Sequence, residues 1–207
     1  MRCDVCGQEY GMSHNCPGPI PAAADPQNPV PEGFALFHYL GEGWRIVRWD
    51  DVAIRRVMDD ARALPYGILI WVLANTIPFL TLVYLNAKRP ATLSPVHVAA
   101  VLGVILLYAA ILWLVQMGVV HLVAKYFCAG DGKFIQIMRP LLLASMVFIL
   151  QVIPIAGVLI SGLAMVCVMV MVFDEVDGMP QLTAFLVSAA AGFGLRLLTG
   201  SVFSMPF

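Results

Sequence analysis

Four long stretches without a charged side chain constrain the fold of this sequence more than any other feature. They cover residues 63–87, 90–124, 140–173 and 179–195. A helix needs about 20 apolar residues to cross a hydrocarbon core ~30 Å thick. Within lipid, only helices and closed barrels satisfy all their backbone hydrogen-bonding groups, and the period-two alternation of a barrel strand is missing from these stretches. The sequence therefore predicts an all-α, polytopic membrane helix bundle.

The overall composition excludes two other classes of protein. Hydrophobic residues make up 60% of the chain and charged residues 12%, and the mean hydropathy is +0.86. A soluble domain is typically ~45–50% apolar and ~25% charged, so this chain has too little charge to cover its core with polar surface. Its formal net charge of −1 gives no electrostatic support to nucleic-acid binding. We expect neither a soluble enzyme nor a nucleic-acid-binding protein.

The four stretches predict five transmembrane helices, because the third is too long for one crossing. As a single helix, its 34 residues would extend about 51 Å at 1.5 Å per residue. Pro154 and Gly157 lie near its centre, where proline breaks the helical ladder and glycine permits a reversal. We expect two spans, at about 139–153 and 156–173. The alternative is one long kinked helix, which would place the C-terminus on the opposite side of the membrane.

Lysine and arginine predict the orientation of the bundle. With five spans, nine of the 12 basic residues precede the first span or separate the second from the third. The other three lie in the first loop or near the C-terminus. Cytoplasmic segments carry the excess of Lys and Arg. We therefore expect the N-terminus in the cytoplasm.

Residues 1–17 contain a spacing typical of metal ligands. Cys3, Cys6, His14 and Cys16 form the pattern C-x2-C-x7-H-x-C. Thiolate and imidazole ligands of this kind surround a tetrahedral Zn²⁺, and the reducing cytoplasm favours metal binding over disulfides. The pattern predicts a small cytoplasmic head that resembles a zinc knuckle, with a structural Zn²⁺ as its cofactor. The alternative is a tail with three incidental cysteines.

A proline-rich linker, residues 18–33, separates this head from an amphipathic segment, residues 34–62. An aromatic-rich half comes first, and Asp50 or Asp51 caps a second helical half. Such helices lie in the membrane interface or, alternatively, pack on the cytoplasmic end of the bundle. In the interfacial interpretation, two tryptophans enter the lipid and four arginines meet its charge: Trp44, Trp49, Arg45, Arg48, Arg55 and Arg56.

Two segments resemble the Yip-domain (Ypt-interacting protein) family of multi-pass membrane proteins. HLVAKYFCAGDGKF, from His121 to Phe134, is similar to the family signature at the end of the second span. IPIAG, from Ile153 to Gly157, is similar to the family's turn between spans three and four. The resemblance covers about residues 50–200 and implies that residues 63–200 form a five-span, Yip-like membrane domain.

The resemblance also implies a cytoplasmic N-terminus and, in eukaryotic members, association with small GTPases in vesicle traffic. The acidic-aromatic motif of those members is absent, because Trp49-Asp50-Asp51-Val52 does not supply it. The N-terminal extension instead suggests a prokaryotic member, so we expect an integral protein of a bacterial inner membrane. The lipid bilayer, protein partners at the cytoplasmic face and a second copy of the chain are the expected partners.

Few polar groups are available for chemistry within the predicted spans. Asn75, Gln116 and Gln151 are the strongly polar residues there, and each is expected to form a hydrogen bond between helices. His121 is expected to bind the loop that follows it. Convergent titratable groups of a catalytic site are missing from the sequence pattern, so we expect no enzyme. The predicted function is a non-enzymatic membrane-organising or trafficking adaptor; the alternative is a small-solute or lipid channel or transporter.

Overall fold

The computed structural model describes residues 33–86, 94–128, 130, 132–153 and 155–200. Side chains are described at all of these positions except 82, 85, 86 and 192–200. Every regular element in these ranges is a helix, so the predicted all-α class is confirmed for this part of the chain.

The described residues form seven α-helices and one 3-10 helix. In chain order these are α1 (Leu36–Val47), α2 (Asp51–Asp59), α3 (Ala63–Asn86), α4 (Pro95–Phe127), α5 (Phe134–Ala144), the 3-10 helix (Ser145–Val152), α6 (Ala156–Asp177) and α7 (Gln181–Gly200).

Local sequence signals begin α2 and α4. The Asp50 carboxylate accepts a hydrogen bond from the backbone N–H of Ala53 at 3.1 Å, which caps α2 as predicted. Ser94 caps α4, and Pro95 follows it at the first helical position, where its missing N–H costs nothing. Between α1 and α2 the chain turns at Trp49, whose φ is 67°.

The third apolar stretch forms two antiparallel helical segments, as the Pro154 and Gly157 signals predicted. The chain reverses after Val152, with Ile155 at a φ of 62°. Residues at both far ends contact α2, since Gln136 of α5 bonds Asp59 and Glu175 of α6 pairs with Arg55. The first segment begins earlier than the expected 139–153, and the second ends later than the expected 156–173.

Four of the described helices are long and apolar enough to cross a membrane. They are Ala63–Thr81, Pro95–Phe127, Phe134–Val152 and Ala156–Asp177. The predicted fifth span corresponds to α7, of which the stretch with described side chains, Gln181–Ala191, is shorter. The chain therefore has the helices of an integral membrane protein. Four of spanning length lie in the described part, and the fifth expected span stays a prediction.

The bundle packs around α5, and α4 lies at its edge. Almost every side chain of α5 from Ile137 to Ala144 is buried, between α1 and α2 on one side and α3 and α6 on the others. Helix α4, in contrast, buries only Met117, Val120 and Ala124. Most of the α4 surface is therefore free to face lipid.

Candidate functional site

The described charged side chains collect at one end of the bundle, which we call the polar end. Helices α3 and α5 begin there, α4 and α6 end there, and α1 and α2 pack against it. The described segments 64–81, 95–124, 140–153 and 155–173 contain no Asp, Glu, Lys or Arg. The polar end therefore holds the residues with the greatest capacity for polar chemistry or recognition.

A buried carboxylate joins α1 to α2. The Glu42 side chain is only 2% exposed, and its Oε1 accepts hydrogen bonds from Arg56 Nη1 at 2.9 Å and Arg45 Nη1 at 3.4 Å. Arg45 Nε also donates to Asp50 Oδ2 at 2.8 Å. Because a buried charge is costly unless it is paired, this network strongly couples the two short helices.

Asp50 is the helix cap within this network, and its surroundings favour the ionised form. Burial raises the pKa of its carboxyl, but the hydrogen bonds from Arg45 and from the backbone N–H of Ala53 outweigh that effect. The net result is a pKa below the usual value of an aspartate. The cap is therefore retained at neutral pH and is lost only in acid.

Two stacked tyrosines join α1 to the start of α3. Tyr39 is fully buried, its hydroxyl donates to Asp60 Oδ2 at 2.5 Å, and its ring lies 4.6 Å from that of Tyr66. The Tyr66 hydroxyl in turn accepts from the backbone N–H of Ala35 at 2.9 Å and donates to the Gly33 carbonyl at 3.3 Å. Burial, followed by the bond to Asp60, raises the pKa of Tyr39 well above its ordinary value.

Three polar contacts fasten α2 to the membrane helices. Arg139 Nη1 of α5 donates to the carbonyl of Met58, and Gln136 Nε2 donates to Asp59 Oδ1 at 2.9 Å. Arg55 forms an ion pair with Glu175 at the end of α6. Helix α2 is therefore held on the bundle through its charged residues as well as through its buried apolar face.

A half-buried histidine and a buried aspartate form a pair at the other side of the polar end. His121 Nδ1 of α4 lies 3.3 Å from Asp177 Oδ2, and the Asp177 side chain is fully buried. The glycine-rich turn before α5 packs on this residue, since a Cβ at Gly132 would collide with Asp177 Oδ1 and a Cβ at Gly130 would lie 3.1 Å from Asp177 Cβ. The partner found for His121 is Asp177, 56 residues away. Residues 129 and 131 of the loop after it lie outside the described residues, so a bond to that loop stays a prediction.

The expected hydrogen bonds between membrane helices are found at one position and not at another. Gln151 Nε2 donates to Ser161 Oγ of α6 at 3.4 Å, across the helical hairpin. Asn75 Nδ2 instead donates to the Trp71 carbonyl at 2.8 Å, within its own helix. The bond found for Asn75 is therefore local to α3 and does not join two helices.

The predicted zinc ligands Cys3, Cys6, His14 and Cys16 lie outside the described residues, so the zinc site stays a prediction. In the part of the chain that the structure describes, no group of three or more His, Cys, Asp or Glu side chains is placed to hold a metal. The acidic and basic side chains of the polar end pair with one another. This arrangement is suited to holding helices together and to presenting a polar surface to other proteins.

Sequence reasoning missed Glu42 and Asp177 as organising residues. Glu42 shares a helical face with Tyr39 and Ile46, all buried, and this spacing of three to four residues is the signal that could have found it. Asp177 belongs to a cluster of three acids, and the sequence does not distinguish it from Asp174.

Comparison of this chain with known proteins gives no relative. No family model matches it, and neither a curated protein nor a solved structure matches it significantly.

Proposed function

We propose that this protein is a non-enzymatic organising protein of the membrane, of the Yip-domain type, which binds cytoplasmic proteins through its polar end and its N-terminal head. The observation that carries the proposal is the separation of charge along the bundle. The described segments 64–81, 95–124, 140–153 and 155–173 lack charged residues. The polar end, in contrast, combines α1 and α2 with a network of paired charges. A protein built in this way offers its recognition chemistry to one side of the membrane.

The same separation argues against ion-coupled transport. Carriers driven by proton or ion gradients keep ionisable residues inside the membrane, where the residues bind and release the driving ion. The titratable groups His121 and Asp177 lie at the polar end, next to the turn before α5. A steep dependence of activity on a proton gradient is therefore not expected.

One feature favours the second candidate function, a pathway for lipids or small apolar solutes. A groove of about 330 Å³ opens between α6 and α7 and is lined by apolar side chains and a glycine. Its residues are Val158, Leu159, Gly162, Leu163, Val166, Phe185 and Ala189. An acyl chain is the chemistry that fits such a lining, because nothing in it hydrogen-bonds a polar solute.

The proposal includes a topology and a cofactor. The N-terminus and the polar end face the cytoplasm of a bacterial inner membrane, and α7 is the fifth span; its 20 residues would extend about 30 Å as a helix. The head of residues 1–17 binds Zn²⁺ through Cys3, Cys6, His14 and Cys16. The excess of basic residues on the N-terminal side and the ligand spacing support these two assignments.

The test is crosslinking of the full-length protein in its native membrane, compared with a variant that lacks residues 1–33. We expect the shortened variant to insert normally and to lose the cytoplasmic proteins that the full-length chain captures. A matched pair, Cys6→Ser and Cys167→Ser, separates the head from a cysteine within α6, and only the first should reduce capture. Transport of a lipid or solute across sealed vesicles, equal for the full-length and shortened proteins, would instead support the second function.

A further inference from the structure

Helix α1 presents an exposed row of aromatic residues on its outer side. Phe34, just before the helix, and Phe37 are 76% and 85% exposed, and Trp44 is 54% exposed. Gly41 and Arg48 continue the row at helical spacing and are also exposed. We call these five residues the aromatic stripe. Large aromatic side chains in a contiguous exposed row mark a surface that another phase or molecule covers.

The rotation of α1 about its axis is fixed, so the aromatic stripe cannot turn inward. On the opposite face, Tyr39, Glu42 and Ile46 are buried. Gly43 on that face lies so close to α5 that a Cβ there would be 2.7 Å from the Leu143 carbonyl oxygen. This close approach, together with the ion pairs of Glu42, holds the stripe on the outside.

The stripe begins where the first membrane span begins. Tyr66, in the first turn of α3, binds the backbone of Ala35 and Gly33 through its hydroxyl, and its ring lies 5.8 Å from that of Phe34. Tyrosine and tryptophan are enriched at the level of the lipid headgroups. The start of α1 is therefore fastened to the span at the depth where such aromatic residues belong.

The charges around the stripe suit an anionic surface. Glu42 is the only acid in α1, and it faces inward with the arginines that bind it. Three of the four arginines expected to meet lipid are paired within the protein: Arg45, Arg55 and Arg56. Arg48 is exposed and takes part in none of the ion pairs found among the described residues, so its charge is available to a lipid phosphate.

We propose that the aromatic stripe lies in the headgroup region of the protein's own bilayer, with anionic lipid as its occupant. Helix α2 takes no part in this contact, because it is fastened to α5 and α6. The two alternatives for residues 34–62 therefore divide between the helices. The inner face of α1 and the buried face of α2, formed by Ala53, Ile54 and Val57, pack on the bundle, and the outer face of α1 meets lipid.

The test uses the full-length protein in lipid nanodiscs and the fluorescence of Trp44. The difference between the wild-type emission and that of Trp44→Phe isolates this residue without disturbing the buried tryptophan Trp71. Lipids brominated near the glycerol should quench the Trp44 signal severalfold more than lipids brominated at the chain ends. Acrylamide in the water should quench it weakly. Strong quenching of Trp44 by acrylamide, with no quenching by either brominated lipid, would overturn the proposal. The aromatic stripe would then be a surface for a protein partner.

A charge reversal tests the part played by Arg48. Arg48→Glu should reduce the lipid quenching of Trp44 at least twofold in discs with anionic lipid and leave it unchanged in zwitterionic discs. The matched control is Lys125→Glu, which makes the same change of charge at an exposed position on α4 and should have no effect. An equal loss in both variants would contradict local recognition, because it would reflect net charge alone.

Discussion

Two glycines in α1 give the most direct test of how this helix docks on the bundle. A Cβ at Gly43 would lie 2.7 Å from the Leu143 carbonyl oxygen, 3.1 Å from its carbonyl carbon and 3.2 Å from Met146 Sδ. A Cβ at Gly41, two residues earlier, would meet nothing within 4 Å. The substitutions Gly43→Ala and Gly41→Ala therefore make the same chemical change in one helix with opposite surroundings.

The two surroundings predict effects of opposite sign. Alanine stabilises a helix interior by about 0.5–1 kcal/mol relative to glycine, so Gly41→Ala should stabilise α1 by that amount. Gly43→Ala gains the same propensity but overpacks against the backbone of α5, which cannot rotate away as a side chain can. Overpacking typically costs about 1–3 kcal/mol. The two variants should therefore differ by about 1–3 kcal/mol, which corresponds to about 5- to 150-fold in the equilibrium for undocking.

Hydrogen–deuterium exchange of the α1 amides in the reconstituted protein measures this equilibrium directly, because local opening exposes them without global unfolding. We expect Gly41→Ala to slow exchange over residues 36–47 and Gly43→Ala to accelerate it, with α6 unchanged in both. If both variants slow exchange equally, α1 does not pack closely against Leu143, and the argument that fixes the aromatic stripe outward fails with it.

Four further outcomes follow from the polar end and the head. The pKa of Asp50 is lowered in the folded protein, so its carboxylate stabilises the fold at pH values above about 3.9, the pKa in the unfolded chain, and this contribution is lost in acid. Asp50→Asn should therefore weaken α2 most near neutral pH, and a plot of the free energy of unfolding against pH on the acid side checks this. The pKa of Tyr39 is raised in the folded protein, so its contribution to the free energy of unfolding is complete below about pH 10, the pKa in the unfolded chain, and falls as the pH rises further. Tyr39→Phe should therefore reduce the loss of stability at alkaline pH. Arg139→Met should speed amide exchange in α2, since the lost bond to the Met58 carbonyl is worth about 1.5–3 kcal/mol. Cys3→Ser should abolish about one equivalent of zinc in the purified protein, and unchanged metal content would contradict the site.

The distribution of apolar and charged residues, together with helix-breaking and helix-capping residues, was sufficient to predict much of the fold. The uncharged stretches located the long helices, Pro154 with Gly157 located the reversal, and Asp50 capped α2 as expected. These features depend on nearby residues, and the sequence records such residues directly. Four helices of spanning length are found in the described residues; the side chains of α7 are described only to Ala191, so the fifth span stays a prediction.

The polar end could not be assembled from the sequence, because its contacts join distant positions. Asp177 pairs with His121 across 56 residues, and Arg139 reaches Met58 across 81. The four arginines that the sequence predicted to meet lipid also look alike in the sequence. Only the packing of α1 and α2 separates Arg45, Arg55 and Arg56, which bind acids of the protein, from Arg48, which faces outward.

Sided labelling of single cysteines tests the central claim that the charged chemistry lies at one end of the bundle and faces the cytoplasm. The five native cysteines would be replaced, and Ala61→Cys at the polar end compared with Ile153→Cys at the opposite reversal, both exposed positions. A membrane-impermeant maleimide should label position 153 in intact cells and position 61 only after lysis. Labelling of position 61 in intact cells would contradict the account, because the polar end would then face away from the cytoplasm.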